Sequence, residues 1–152
     1  MKNPCLWRGF FYIFKIKMNE RDSRILEMRG ETMGEIHAQS SKEEKFQNKT
    51  LRPILKLQND LFIESFLNYV NKHKNDFYTL GVEKKLLFIE NAIHKDIKFR
   101  NALKGMVISL FTIEEFREYI LDSSDLNKRM MNMLIERLKD QVQILTDNKI
   151  EG

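Results

Sequence analysis

Residues 112–145 read TIEEFREYILDSSDLNKRMMNMLIERLKDQVQIL, and this stretch decides the fold class. Thr112 followed by Glu115 is a capping box: the hydroxyl accepts from an N–H three residues on, and the carboxylate reaches back to the Thr112 N–H. Ile113, Phe116, Ile120 and Leu121 then recur at helical spacing, which predicts a helix with these residues as its apolar face. Ser123, Ser124 and Asp125 break that helix and cap the next. Met131, Leu134, Leu138, Val142 and Leu145 run along one side of the helix that follows.

Working upstream, Asp96 caps a helix on which Phe99, Leu103, Met106 and Leu110 form one face, with Ala102 and Val107 beside it. Gly105 sits inside it at a cost of about 1 kcal/mol relative to alanine, which a close crossing of two helices would explain. Residues 106–113 also have the composition of a strand, but no second strand candidate exists to pair with them. Asn75, Thr79 and Gly81 mark a turn, after which Val82, Leu86, Ile89 and Ile93 return at helical spacing, with Leu87 and Phe88 widening the face. The first helix is expected to open at Thr50, with Pro53 in its first turn, and to carry Leu51, Ile54, Leu55, Leu61, Phe62, Phe66, Tyr69 and Val70 as far as about Lys74. Gln58 and Ser65 lie on the same stripe, so each needs a partner across the core or marks a shallow cleft.

The expected architecture is therefore all-α: a compact bundle of four to five helices over residues 50–145, a mobile N-terminal tail over 1–49 and a C-terminal tail over 146–152. Composition agrees. The 152 residues include only 6 glycines and 2 prolines, too few for a turn-rich β-sandwich, and 42 % hydrophobic residues suffice for one core. Residues 18–48 are rich in Glu, Arg, Ser, Gln and Met and poor in bulky apolar side chains, which predicts a mobile segment with at most a transient helix over 21–29. Residues 1–17, MKNPCLWRGFFYIFKIK, admit two readings. They form a basic, aromatic anchor for an anionic membrane surface, or they are an upstream extension of a chain whose native start is Met18. They are too short to span a bilayer, so no transmembrane segment is expected.

Charge narrows the function classes. The net charge is +4. Residues 1–17 carry four Lys/Arg and no acid, whereas residues 46–152 carry seventeen Lys/Arg against fifteen Asp/Glu. The expected domain is nearly neutral, so whole-domain attraction to phosphate is weak. The single Cys5 has no partner for a disulfide and no thiol cluster for zinc, which points to a cytoplasmic protein.

No Gly-rich phosphate loop, nucleophile elbow or zinc signature is present, so no catalytic residue and no cofactor is assigned. His37 falls in the expected tail, leaving His73 and His94. Glu90 stands one turn before His94, a metal half-site at best, since di-iron bundles repeat such pairs on several helices. Lys95, Lys98, Arg100 and Lys104, interleaved with Phe99 and followed by Lys128 and Arg129, would form a basic patch suited to nucleic-acid phosphates if their faces adjoin. The alternative is a solvated face balanced by Glu83, Glu90, Glu114 and Glu115. Met106, Met130, Met131 and Met133 supply either core or an adaptable apolar surface for a partner.

The segments LRPILKLQNDLFIESFLNYVNKHKNDFY (51–78), IENAIHKDIKFRNALKGMVISLFTIEEFREYI (89–120) and LNKRMMNMLIERLKDQVQIL (126–145) resemble a family of small, largely uncharacterised bacterial proteins that often carry the automated label "glyoxalase". The resemblance begins near Met18. The label implies metal-dependent lactoylglutathione lyase chemistry, but glyoxalase I proteins are built from paired βαβββ modules with His and Glu ligands on strands. This sequence offers neither such strands nor a repeated module. A lyase on an unrelated helical scaffold is the remaining form of that idea. Three functions are thus carried forward: a non-enzymatic interaction or regulatory module, as a homodimer or with a protein partner; a nucleic-acid-binding protein using the basic patch; and, least supported, a metal-dependent glyoxalase.

Overall fold

Side-chain caps set several of the helix boundaries. The computed structural model describes residues 18–30, 37–73 and 76–147. Asn19 accepts from the Asp22 N–H at 2.8 Å and opens α1, Glu20–Arg29. Gly30 closes it at φ 72°, where a side chain would be strained. Ser41 accepts from Glu44 N–H at 3.2 Å and opens α2, which covers residues 42–57 as α-helical Lys42–Phe46, π-helical Gln47–Leu51 and α-helical Arg52–Leu57. After Gln58 come α3, Asn59–Lys72, and a 3-10 turn, Phe77–Thr79. Then follow α4, Val82–Lys95, and α5, Ile97–Ile108, capped by Asp96 through the Phe99 N–H at 3.0 Å. The capping box of Thr112 and Glu115 opens α6, Ile113–Leu121. The chain continues as α7, Ser123–Asp140, and α8, Val142–Asp147.

The described residues contain helices and no strand, as expected, but eight helices rather than four to five. Part of the difference is local breakage. Gln58 interrupts the first expected rod and Gln141 the last, although Gln58 N–H to Ile54 C=O at 2.9 Å and Phe62 N–H to Gln58 C=O at 3.0 Å carry the ladder across the break. The rest lies upstream of Thr50. Residues 20–29, where a transient helix is expected over 21–29, and residues 42–49 are helical, and α1 packs on the Arg52–Leu57 segment. Residues 1–17 and 31–36, with the two readings of the amino terminus, lie outside the described residues. At the other end, Thr146 and Asp147 belong to α8, and Lys85 Nζ donates to Thr146 Oγ1 at 3.1 Å.

Thr50 is not a helix cap. It lies within the π turn, and its hydroxyl donates to Glu115 Oε1 at 2.8 Å. Pro53 explains the widened turn: in α register the proline ring collides with the carbonyl four residues back and supplies no N–H to it. That carbonyl belongs to Lys49, and Arg29 Nη2 donates to it instead at 3.2 Å.

The core runs along α2, α3, α4, α5 and α7. Leu51, Ile54, Phe62, Phe66, Phe77, Ile89, Ile93, Leu103, Met130 and Leu134 are sealed from solvent. Phe66 meets Phe77 edge to face at 5.4 Å, and Tyr69 stacks on Phe99 at 4.3 Å. Met130 and Met131 are buried and belong to this core. Gln58 and Ser65 both find Met106 across the helix interface, at 3.4 Å to its carbonyl and 3.7 Å to its sulfur. Gly105 has no neighbour within 4 Å of where a Cβ would stand, so close helix crossing does not account for it.

Candidate functional site

A cleft of about 350 Å³ opens between α5 and α7 at the end of α4. Arg100, Asn101 and Lys104 line it from α5, and Asn127, Lys128, Met131 and Asn132 from α7, with His94 at one end. Spacings of three and four residues, as in Arg100 to Lys104, Asn101 to Lys104, Asn127 to Met131 and Lys128 to Asn132, hold each group to one broad helix face, which is why two short pieces of sequence build both walls. No carboxylate is among these lining residues. Arg100 Nη1 donates to the His94 carbonyl at 3.2 Å, tying the guanidinium to the end of α4. The Tyr119 hydroxyl donates to Asn127 Oδ1 at 2.8 Å, so the Asn127 amide nitrogen keeps its two donors for the cleft. Met131, nearly buried, forms an apolar part of the wall.

Of the basic residues singled out in the sequence, Arg100 and Lys104 meet Lys128 at this cleft. Lys95 and Lys98 are exposed and do not line it, and Arg129 instead donates to Gln47 Oε1 at 2.9 Å. Asn101, Asn127 and Asn132 were missed. Their only trace in the sequence is that each shares a helix face with a lysine, which carries no weight until two such faces are known to meet.

Glu90 and His94 of the half-site meet different surroundings. Glu90 accepts from Lys139 Nζ at 3.0 Å, and this hydrogen bond holds its carboxyl below the usual range. His94 faces the cleft, while His73 stacks on Tyr69 at 4.0 Å. No group of three or more His, Cys, Asp or Glu side chains is placed to hold a metal among the described residues.

The second surface feature is α6 itself. Ile113, Phe116, Ile120 and Leu121, the apolar residues that predict this helix, are 43, 43, 54 and 86 % exposed. The buried residues of this helix are Glu115 and Tyr119. The cause lies in Glu115. Burial pushes its carboxyl up, but donors from Arg29, the Thr112 N–H and Thr50 outweigh that and hold it below the usual carboxylate range. Four hydrogen bonds to one carboxylate fix the rotation of α6 and turn its apolar stripe outward.

Comparison with protein-family models, with curated proteins and with solved structures finds no match. The resemblance carried by residues 51–145 therefore rests on its own residues. No helix among the described residues is long and apolar enough to cross a membrane.

Proposed function

We propose that this chain is a non-enzymatic interaction module that pairs with a second copy of itself through α6. One observation carries the proposal: a helix anchored by a buried carboxylate presents Ile113, Phe116, Ile120 and Leu121 to solvent. An apolar stripe of this kind gains about 25 cal/mol per Å² when covered. Charge argues for a second copy as the cover. Glu114, Arg117 and Glu118 lie on the exposed side of the same helix, and none has an ion pair among the described residues. At 100° per residue Arg117 falls within the stripe, between Ile113 and Leu121, with Glu114 and Glu118 to one side, and an antiparallel pairing whose two-fold axis passes between positions 117 and 118 sets Arg117 of one copy beside Glu118 of the other.

The apolar surface continues beyond α6. Met18 and Leu26, both exposed, share a cleft with Ile113. A nine-residue helix is only about 14 Å long, short of what a standard interface of about 800 Å² per partner requires. The expected dimer is therefore weak, in the micromolar range. Sedimentation over a wide concentration range tests it: a species that stays monomeric throughout removes the proposal.

Nucleic-acid binding is the second reading, favoured by the meeting of Arg100, Lys104 and Lys128. It predicts retardation of RNA or DNA that weakens steeply with salt. A metal-dependent lyase has no comparable support, since Glu90 is already engaged by Lys139.

A further inference from the structure

We infer that the cleft between α5 and α7 binds the phosphate group of a small, hydroxyl-bearing phosphomonoester, such as a nucleotide or a sugar phosphate. The site is distinct from the α6 face and does not depend on self-association. Three cationic side chains, Arg100, Lys104 and Lys128, converge on one opening whose lining contains no acid. Among the described residues only Lys128 of these three has a carboxylate neighbour, Asp125 at 3.3 Å, and both side chains of that pair are exposed and free to exchange partners. Arg100 is held by the His94 carbonyl through Nη1, which leaves the remaining guanidinium donors to a planar or tetrahedral oxyanion.

The asparagines set the second half of the ligand. Asn101, Asn127 and Asn132 bring amide donors and acceptors to the same walls, the chemistry that recognises hydroxyl groups and the edges of heterocycles. Asn127 is oriented by the Tyr119 hydroxyl so that its donors remain available, which makes Tyr119 a positioning residue. His94 adds a flat ring at one end, and Met131 gives the wall an apolar surface.

Size and the placement of the other cations argue for a small ligand over a strand. About 350 Å³ lies at the small end of small-molecule sites. A nucleic-acid strand needs a basic track with stacking platforms that runs past the pocket. Here Lys95 and Lys98 do not line the cleft, and Arg129 is turned to Gln47.

Calorimetric titration of the full chain with inorganic phosphate, a nucleoside monophosphate, its dephosphorylated nucleoside, a hexose phosphate and a single-stranded oligonucleotide tests the inference. At least one phosphomonoester is expected to bind about tenfold or more tighter than the nucleoside, and the two esters tell the nucleotide source from the sugar source. Arg100→Gln and, as an independent variant, Lys104→Gln each lower that affinity about tenfold or more, while Lys98→Gln leaves it unchanged. Tyr119→Phe weakens ester binding with little effect on inorganic phosphate, because it frees Asn127 rather than removing a cation. Circular dichroism confirms that each variant folds. Absence of binding by both esters, binding indifferent to Arg100→Gln and Lys104→Gln, or binding of the oligonucleotide alone overturns the inference.

Discussion

Arg29 and Glu115 form a two-pronged ion pair, at 2.6 and 2.8 Å, between residues 86 positions apart in sequence, with side chains only 3 and 6 % exposed. This pair joins three features that seem unrelated along the chain: the end of α1, the proline-induced π turn of α2 and the capping box of α6. Arg29 also donates to the Leu110 carbonyl at 3.3 Å and the Lys49 carbonyl at 3.2 Å. A neighbouring set reinforces the contact, because Arg21 donates to the Phe111 and Ser109 carbonyls at 3.0 and 2.8 Å and Asp22 accepts from the Ile113 N–H at 2.9 Å.

Removing one partner leaves a buried charge without its counter-ion, so Arg29→Ala is expected to cost about 3–5 kcal/mol. Urea denaturation measures the loss. Hydrogen exchange adds the location: amides of α1 lose protection before those of α4 and α7. A change below about 1 kcal/mol would mean that α1 is not held by this pair.

The pH dependence follows from the same carboxylate. Glu115 has a folded-state pKa below its unfolded value, so its stabilisation is complete above the unfolded value of about 4.3 and is lost as pH falls through the folded one. Thermal melts from pH 7 downward are expected to show a fall in melting temperature beginning just below pH 4.3. In Glu115→Gln the starting stability is lower and this part of the acid slope is flattened. An unchanged slope in the variant would assign acid sensitivity to other groups.

On α6, Phe116→Asp is expected to abolish concentration-dependent self-association while leaving the monomer's melting temperature within about 2–4 °C, since the side chain is 43 % exposed and outside the core. Sedimentation and a thermal melt on the same sample separate the two effects. Loss of folding instead of loss of association would show that Phe116 serves the monomer.

Gly105→Ala is expected to stabilise the protein by about 0.5–1 kcal/mol. The position is inside α5, its backbone needs no positive φ, and the added Cβ meets nothing within 4 Å. A higher denaturation midpoint at unchanged slope checks it. Destabilisation would point to a contact that forms only outside the isolated chain, such as a partner lying against this turn.

Local signals were legible where a cap and its target lie within one turn. Thr112, Glu115 and Asp96 all do what the sequence assigns them. The buried placement of Ile54, Phe62, Phe66, Ile89, Ile93, Leu103 and Leu134 likewise follows from helical spacing. Half of the basic residues singled out on α4 and α5, Arg100 and Lys104, reach the cleft. Lys95 and Lys98 do not: Lys98 stands two residues before Arg100 and so about 200° around α5, Lys95 belongs to α4, and the sequence does not say which face of α5 a distant helix will meet.

By itself the sequence determined that the chain is helical, where α5 and α6 begin, and which residues can form a core, because these depend on interactions within a few residues. Only the tertiary structure decided how each helix is rotated. On α6 periodicity identifies an apolar stripe, but the bonds from Arg29, Thr50 and Thr112 to Glu115 turn that stripe to solvent. The same holds for α1, where the sequence predicts at most a transient helix and cannot show that Arg29 meets a carboxylate 86 residues away. A buried ion pair is worth forming only when its partners are brought together and shielded from water, and that condition is set by the packed chain as a whole.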